Sequence, residues 1–85
     1  MTTYRGFRKA ALTKYGPVPD DLEGKEALKE KVWVEIKDLQ WDQADAAARN
    51  DNAAVKGIQS ELYLRYAMSS ILSRAIRKEK RDANG

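Results

Sequence analysis

The 85-residue sequence contains no cysteine and no histidine. Without cysteine the chain forms no disulfide bond and offers no thiolate to zinc. Without histidine it lacks the commonest metal ligand and the side chain that most readily exchanges protons near neutral pH. Nothing in the sequence pairs a carboxylate with a nucleophile or with a pocket signature. We therefore expect a protein that is not an enzyme and that holds no cofactor and no metal.

The sequence also lacks a long apolar run. A transmembrane helix needs roughly 20 predominantly apolar residues, and no stretch of this chain approaches that length. The N-terminal region contains no uninterrupted apolar segment of the kind that signal peptides carry. We therefore expect no membrane partner and a cytoplasmic location, which means the host-cell cytoplasm if a mobile element encodes the chain.

Charge of each sign is unevenly distributed along the chain. Residues 1–15 contain four basic and no acidic residues, residues 16–52 contain five basic and ten acidic residues, and residues 53–85 contain seven basic and three acidic residues. A basic head and tail around an acidic middle can neutralise one another within one folded domain. The net charge of +3 is therefore a weak argument for an anionic partner.

Helical spacing of apolar residues predicts three helices. The first covers about residues 3–15 and ends at Gly16 and Pro17, which terminate helices well. The second covers about residues 21–49, after a possible capping pair at Asp20 and Glu23. A short strand at Val32 to Ile36 is the alternative, because β-branched and aromatic residues favour strands. It is the weaker one, because no partner strand is visible.

A turn around residues 50–52 separates the second helix from the third. Asparagine and aspartate there favour helix ends and caps, and small residues such as Ala46, Ala47, Ala53 and Gly57 gather on both sides. The third helix is predicted at about residues 52–81, followed by a frayed tail at 82–85. The predicted fold is thus a single all-α domain, residues 1–85, with a short amphipathic N-terminal helix and a long antiparallel helical hairpin in a three-helix bundle-like arrangement.

The third helix is apolar on two opposite faces. One face carries Val55, Ile58, Leu62, Tyr66 and Ile76, and the other carries Leu64, Met68, Ile71 and Ala75. A helix that is apolar all round must be covered all round. The first helix, at roughly 20 Å, is much shorter than the third, at roughly 42 Å. We therefore expect an apolar strip to remain uncovered and the chain to self-associate or to join a larger protein complex.

These features predict a small non-enzymatic protein-binding module, such as an adaptor, an inhibitor or an assembly subunit. The candidate interface residues are Leu64, Met68, Ile71, Ala75 and Trp41. Trp41 is included because an outward-facing tryptophan is a frequent interface anchor. Trp33 and Trp41 are eight residues apart, too far round the helix to share one narrow stripe. Ordinary core packing of both rings is the simpler interpretation; in the other, Trp33 joins the core and Trp41 faces outward.

Counting outward from the turn places Glu35 opposite Arg65 or its neighbours. Both residues interrupt otherwise apolar patterns, so a partly buried ion pair that fixes the register of the hairpin is one interpretation. In the other interpretation, the stem of Arg65 covers the edge of the core and its guanidinium stays in water.

The alternative function is that of an accessory nucleic-acid-binding protein. Lysine and arginine bind phosphates without sequence preference by releasing counterions. The candidate residues lie at both ends of the chain: Arg5, Arg8, Lys9, Arg74, Arg77, Lys78, Lys80 and Arg81. Stabilisation of a helix C-terminus by cations is the simpler explanation of the second group.

An acidic stripe on the second helix has two interpretations as well. Its members are Glu35, Asp38, Asp42 and Asp45. Clustered carboxylates can hold Mg²⁺ or Ca²⁺, but a dedicated calcium loop is absent. We expect this stripe to be solvated or to face a basic partner.

Overall fold

The computed structural model describes the backbone of residues 4–84 and the side chains of residues 6–83. This part of the chain forms three α-helices and no strand: α1 at Tyr4–Tyr15, α2 at Leu22–Ala48 and α3 at Asn52–Asn84. The all-α prediction is confirmed. The alternative strand at Val32 to Ile36 is wrong, because those residues lie inside α2.

The helix ends follow local chemistry. Gly16 has a φ of 80°, the left-handed conformation that glycine adopts without steric cost, and its N–H donates to the carbonyl of Leu12 at 2.9 Å. The N-cap of α2 is Asp21 rather than Asp20, and its side chain makes no capping hydrogen bond. α3 continues to Asn84, beyond the predicted end at residue 81.

The connection between α2 and α3 is short. Asn50 has a φ of 58°, which asparagine tolerates better than most residues. The carboxylate of Asp51 accepts a hydrogen bond from the N–H of Ala54 at 3.1 Å, and therefore caps the start of α3. Contacts of Lys25 with Glu79 and of Gln43 with Gln59 show that α2 and α3 run antiparallel.

The core lies where α2 and α1 both pack on α3. Its buried members come from all three helices: Ala11, Val32, Ile36, Leu62, Ala67, Met68 and Leu72. The long dimension of the molecule is 51 Å, which is close to the length of α3 alone, about 50 Å at 1.5 Å per residue. α3 is therefore the element on which the other two helices are assembled.

The structure corrects in part the expectation that the α3 face of Leu64, Met68, Ile71 and Ala75 is uncovered. Met68 is 0% exposed, and Leu64 and Ile71 are half-buried against the core, to which α1 contributes Ala11. The predicted face runs from Leu64 to Ala75, about 17 Å along the axis, and the 12 residues of α1 span about 18 Å. α1 is therefore long enough to pack along this face, although it is much shorter than α3 as a whole.

Candidate protein-interaction surface

The largest exposed apolar side chains lie on the outer side of α2. Trp33 is 49% exposed, Val34 is 47% exposed and Trp41 is 79% exposed. Together with Lys37 and Ala44, they form what we call the tryptophan face. Trp41 lies about 180° from Val32 around the helix axis and points away from the core, whereas Trp33, about 60° from Ile36, borders the junction with α3.

Both tryptophans belong to one broad face. Trp33 and Trp41 are about 80° apart around the helix axis, and Lys37 lies midway between them. The expectation that Trp33 would join the core is therefore wrong, as is the alternative that buries both rings. α2 has apolar residues on two opposite sides, one against α3 and one against solvent.

The two indole rings have different surroundings. The Nζ atom of Lys37 lies 5.5 Å from the centre of the Trp33 ring, a cation–π distance. A groove of about 380 Å³ beside Trp33 reaches α3 and is lined by Glu26, Lys29, Glu30, Trp33, Ser69, Ile76 and Lys80. A second groove of about 400 Å³ is lined by Lys37, Gln40, Trp41 and Ala44. The face is thus uneven enough to receive side chains from a partner.

Carboxylates border one edge of the tryptophan face. Asp38, Asp42 and Asp45 are exposed, and Asp45 pairs with Arg49 at 3.3 Å on the surface. Among the described residues, no group of three or more carboxylates is arranged to hold a metal ion. Glu35 points elsewhere, since it pairs with Arg65. The acidic edge therefore leaves negative charge exposed beside the tryptophan face.

Arg65 joins all three helices through a partly buried polar cluster. Its Nε donates to Glu35 Oε1 at 3.0 Å, and its Nη1 donates to Glu61 Oε2 at 2.6 Å and to the Glu61 carbonyl at 3.1 Å. The hydroxyl of Tyr15, the last residue of α1, donates to the same Oε1 of Glu35 at 2.5 Å. The Arg65 side chain is only 11% exposed, so its guanidinium is held by the protein rather than by water.

This cluster shifts the pKa of each of its principal members. Burial raises the pKa of Tyr15 well above 10, and its hydrogen bond to Glu35 raises it further. Partial burial alone would raise the pKa of Glu35, but hydrogen bonds from Tyr15 and Arg65 outweigh it and the pKa is lowered. Burial opposes the charged form of Arg65, yet its contacts with Glu61 and Glu35 leave its pKa raised. At neutral pH Tyr15 is therefore a neutral phenol, Glu35 an ionised carboxylate and Arg65 a charged guanidinium.

A second buried contact was missed in the sequence. Lys25 is 9% exposed, and its Nζ donates to Glu79 Oε2 at 2.8 Å and to the Asp20 carbonyl at 2.9 Å. Lys25 stands three and seven residues before Leu28 and Val32, on the core-facing side of α2. That spacing was the feature of the sequence from which the burial of Lys25 could have been predicted.

The basic candidates are only partly brought together. A groove of about 240 Å³ is lined by Arg74, Arg77, Lys78 and Arg81, all on α3. Lys80 instead faces α2, where its Nζ lies 3.5 Å from Glu26 Oε1. Arg8 and Lys9 are exposed on α1, and the side chain of Arg5 lies outside the described residues.

An aromatic groove on the α1 and α3 side was not anticipated. The rings of Phe7 and Tyr63 lie 5.5 Å apart at an angle of 60°. They line a groove of about 310 Å³ together with Tyr66, Ala67 and Ser70. Its formation depends on where α1 crosses α3, which the sequence does not specify.

The remaining interface candidates differ in accessibility. Trp41 is the most exposed large apolar residue of the described chain. Ala75 is half-buried and borders a groove that also includes Lys25, Lys78, Glu79 and Asp82. Met68 is unavailable to a partner in this conformation, because no part of it is exposed.

None of the described helices is long and apolar enough to cross a membrane. Comparison with known proteins finds no matching family model, no matching curated protein and no matching solved structure. The function must therefore be inferred from the surfaces themselves.

Proposed function

We propose that this protein is a small non-enzymatic protein-binding module that associates through the tryptophan face of α2, with a second copy of itself as the partner. Two tryptophans exposed on one face of a single helix are the observation that carries the proposal. Tryptophan is enriched at the energetic centres of interfaces. Their exposure also leaves apolar area in water that an interface would bury.

A closed dimer requires the face to be complementary to itself. Trp33 and Trp41 each lie four residues from Lys37, so a two-fold axis near Lys37 brings Trp33 of one copy beside Trp41 of the other. In such an antiparallel pairing both indoles of both copies lie at the centre of the interface. Two-fold dimers are the commonest symmetric assemblies of soluble proteins.

Charge along α2 is compatible with this antiparallel pairing. Lys31 and Asp45 are two heptads apart and therefore lie on the same edge of the tryptophan face. An antiparallel pairing places Lys31 of one copy near Asp45 of the other, twice per dimer. The ammonium of Lys37 lies over Trp33, on the N-terminal side of its own backbone position. The two Lys37 charges are therefore directed away from the axis rather than toward each other.

The α3 face of Leu64, Met68, Ile71 and Ala75 is not the proposed interface. Burial of Met68 and partial burial of Leu64 and Ile71 leave less apolar area there than on α2. The three-helix bundle-like unit would thus use α1 and α3 to form its own core, and the outer side of α2 to associate.

Sedimentation velocity at concentrations from micromolar to millimolar tests the proposal. We expect wild type to convert from monomer to dimer with rising concentration, and Trp41→Ser to remain monomeric. Tyr63→Ser is the matched control, because Tyr63 is also an exposed aromatic residue but lies outside the tryptophan face. A dimer that survives Trp41→Ser, or that Tyr63→Ser disrupts equally, would contradict the proposed interface.

A charge exchange tests the antiparallel pairing itself. Lys31→Glu and Asp45→Lys should each weaken the dimer by placing like charges opposite each other. Both substitutions in one chain should restore it, because the opposite charges then meet again with their positions exchanged. Restoration is not expected if the two α2 helices pair in parallel.

A further inference from the structure

A continuous stripe on α3 combines aromatic and basic residues. Tyr63, Ala67, Ser70, Arg74, Arg77 and Arg81 follow one another at intervals of three or four, so they share one face of the helix. Lys78 lies beside Arg77 in the same groove. We call this surface the aromatic-basic stripe, and it is separate from the tryptophan face of α2.

The cations of the stripe differ from those at the junction of α2 and α3. Lys25 and Lys80 face that junction and are paired with Glu79 and Glu26. Among the described residues, the four cations that line the groove, Arg74, Arg77, Lys78 and Arg81, have no ion pair with a carboxylate. The cations at the junction of α2 and α3 are therefore neutralised by carboxylates, whereas the cations of the outer groove are not.

The helix dipole does not account for the whole cluster. Its favourable effect on cations is confined to about the last turn of a helix. α3 ends at Asn84, so Arg74 and Arg77 stand about two to three turns before the end. Four like charges in one groove repel one another, and an anionic polymer laid along them would remove that repulsion and release its own counterions.

We propose that the aromatic-basic stripe binds single-stranded nucleic acid. The cations from Arg74 to Arg81 span about 10 Å along the axis and would contact successive phosphates. The groove of Phe7, Tyr63 and Tyr66 lies at the other end of the stripe, and Tyr63 is 48% exposed and Tyr66 40% exposed. Exposed aromatic rings beside a basic groove are what single-stranded nucleic-acid sites use to stack bases.

The aromatic end of the stripe favours a single strand over a duplex, since duplex bases are already stacked inside the helix and are not free to pack on tyrosine.

An anionic membrane fits the aromatic-basic stripe less well than a single strand does. A helix that lies in a membrane interface inserts an apolar face, but Leu72 and Ile76, in the same turns as the cations, are buried in the protein.

Fluorescence anisotropy with labelled mixed-sequence oligonucleotides of about 15 nucleotides, within the usual length range of such sites, tests this proposal. Single-stranded DNA and RNA, the matching duplexes and anionic lipid vesicles are compared across a salt series. We expect single strands to bind most tightly. Their salt dependence should reflect about four phosphate contacts, which corresponds to a logarithmic slope near −3.

Two charge variants separate specific contacts from overall charge, and a third variant tests stacking. Arg74→Gln with Arg77→Gln should weaken single-strand binding about fivefold or more and reduce the magnitude of the salt slope by about 1.4. Lys14→Gln with Lys56→Gln removes the same charge from exposed positions outside the stripe and should leave binding within about twofold. Tyr63→Leu should weaken single-strand binding and leave the salt slope unchanged, because stacking is not ionic.

The proposal is overturned if single strands do not bind at low salt, if both charge variants weaken binding equally, or if duplex or vesicles bind more tightly than single strands. It is also overturned if Tyr63→Leu has no effect while far-ultraviolet circular dichroism shows an intact fold. Trp41→Ser keeps the stripe and disables the proposed dimer surface. Measuring its oligonucleotide binding therefore distinguishes failure of this proposal from failure of the α2 interface.

Discussion

The Nε atom of Arg65 lies 3.0 Å from Oε1 of Glu35, and both side chains are largely shielded from water. Tyr15 donates a hydrogen bond to the same carboxylate oxygen. One carboxylate on α2 therefore receives a cation from α3 and a phenol from α1. The cluster therefore links the C-terminal end of α1 to both helices of the hairpin, beside the core to which α1 contributes Ala11.

Arg65→Met should lower the free energy of unfolding by about 2 kcal/mol, because it leaves Glu35 partly buried without its cation. The cost stays below that of a fully buried pair since Glu35 retains some contact with water. Arg49→Met is the control: its pair with Asp45 is exposed on both sides, so the change should cost less than about 0.5 kcal/mol. Equal results for the two variants in urea denaturation would show that the Arg65 cluster adds no stability.

Stability should depend on pH at both ends of the range. The pKa of Glu35 is lowered on folding. The ionised Glu35 carboxylate therefore stabilises the fold at pH values above its ordinary pKa of 4.5. This stabilisation is lost as the pH falls through the lower pKa of the folded state. The pKa of Tyr15 is raised on folding. The neutral Tyr15 phenol therefore contributes its full stabilisation at pH values below its ordinary pKa of 10.0. Above that pH the stabilisation declines, because Tyr15 ionises in the unfolded chain before it ionises in the folded one.

Matched variants isolate each of these contributions. Glu35→Gln should flatten the acid side of the stability profile, and Tyr15→Phe should flatten the alkaline side. Urea titrations at a series of pH values measure both slopes. An alkaline slope that is unchanged in Tyr15→Phe would show that other groups produce it.

Two helical glycines should respond in opposite directions to alanine. A Cβ at Gly57 would meet no atom within 4 Å, so Gly57→Ala should stabilise the protein by about 0.5–1 kcal/mol through helix propensity. A Cβ at Gly24 would lie 2.5 Å from Asp21 Oδ1 and 2.9 Å from Pro19 Cβ. Gly24→Ala should therefore destabilise the start of α2, and thermal melts of the two variants should shift in opposite directions.

Core and surface apolar residues should differ sharply in their effect on the fold. Met68→Ala should cost about 2–5 kcal/mol, because it leaves a cavity in the middle of the core. Trp41→Ser should change stability by no more than about 0.5 kcal/mol, since the ring is mostly in water. A large loss on Trp41→Ser in urea denaturation would mean that the ring packs within the monomer.

The helices were predictable because their signals are local. The periodicity of Leu28, Val32 and Ile36 and the stop at Gly16 depend on nearby residues only, and the structure places α1, α2 and α3 within a few residues of the expected bounds. The position of α1 on α3 is a non-local property. It depends on the angle at which α1 crosses α3 and on the contact of Tyr15 with Glu35. The burial of Met68 could therefore not be predicted from the spacing of apolar residues in the sequence.

The tryptophan face could have been predicted from the sequence. Trp33, Val34, Lys37 and Trp41 share one side of a helix when positions are compared at 100° per residue. A separation of eight residues rotates by only about 80°, so the two tryptophans share a broad face although they do not share a narrow stripe. The aromatic groove of Phe7 and Tyr63 had no such signal, because its two rings come from helices whose contact had to be observed.

Sedimentation of wild type beside Trp41→Ser tests the central claim most directly, namely that the outer face of α2 is the surface through which this protein associates. We expect wild type to form a dimer at high concentration and Trp41→Ser to remain monomeric with an unchanged circular dichroism melt. A wild-type protein that stays monomeric at every concentration, or a variant that dimerises as wild type does, would contradict the account.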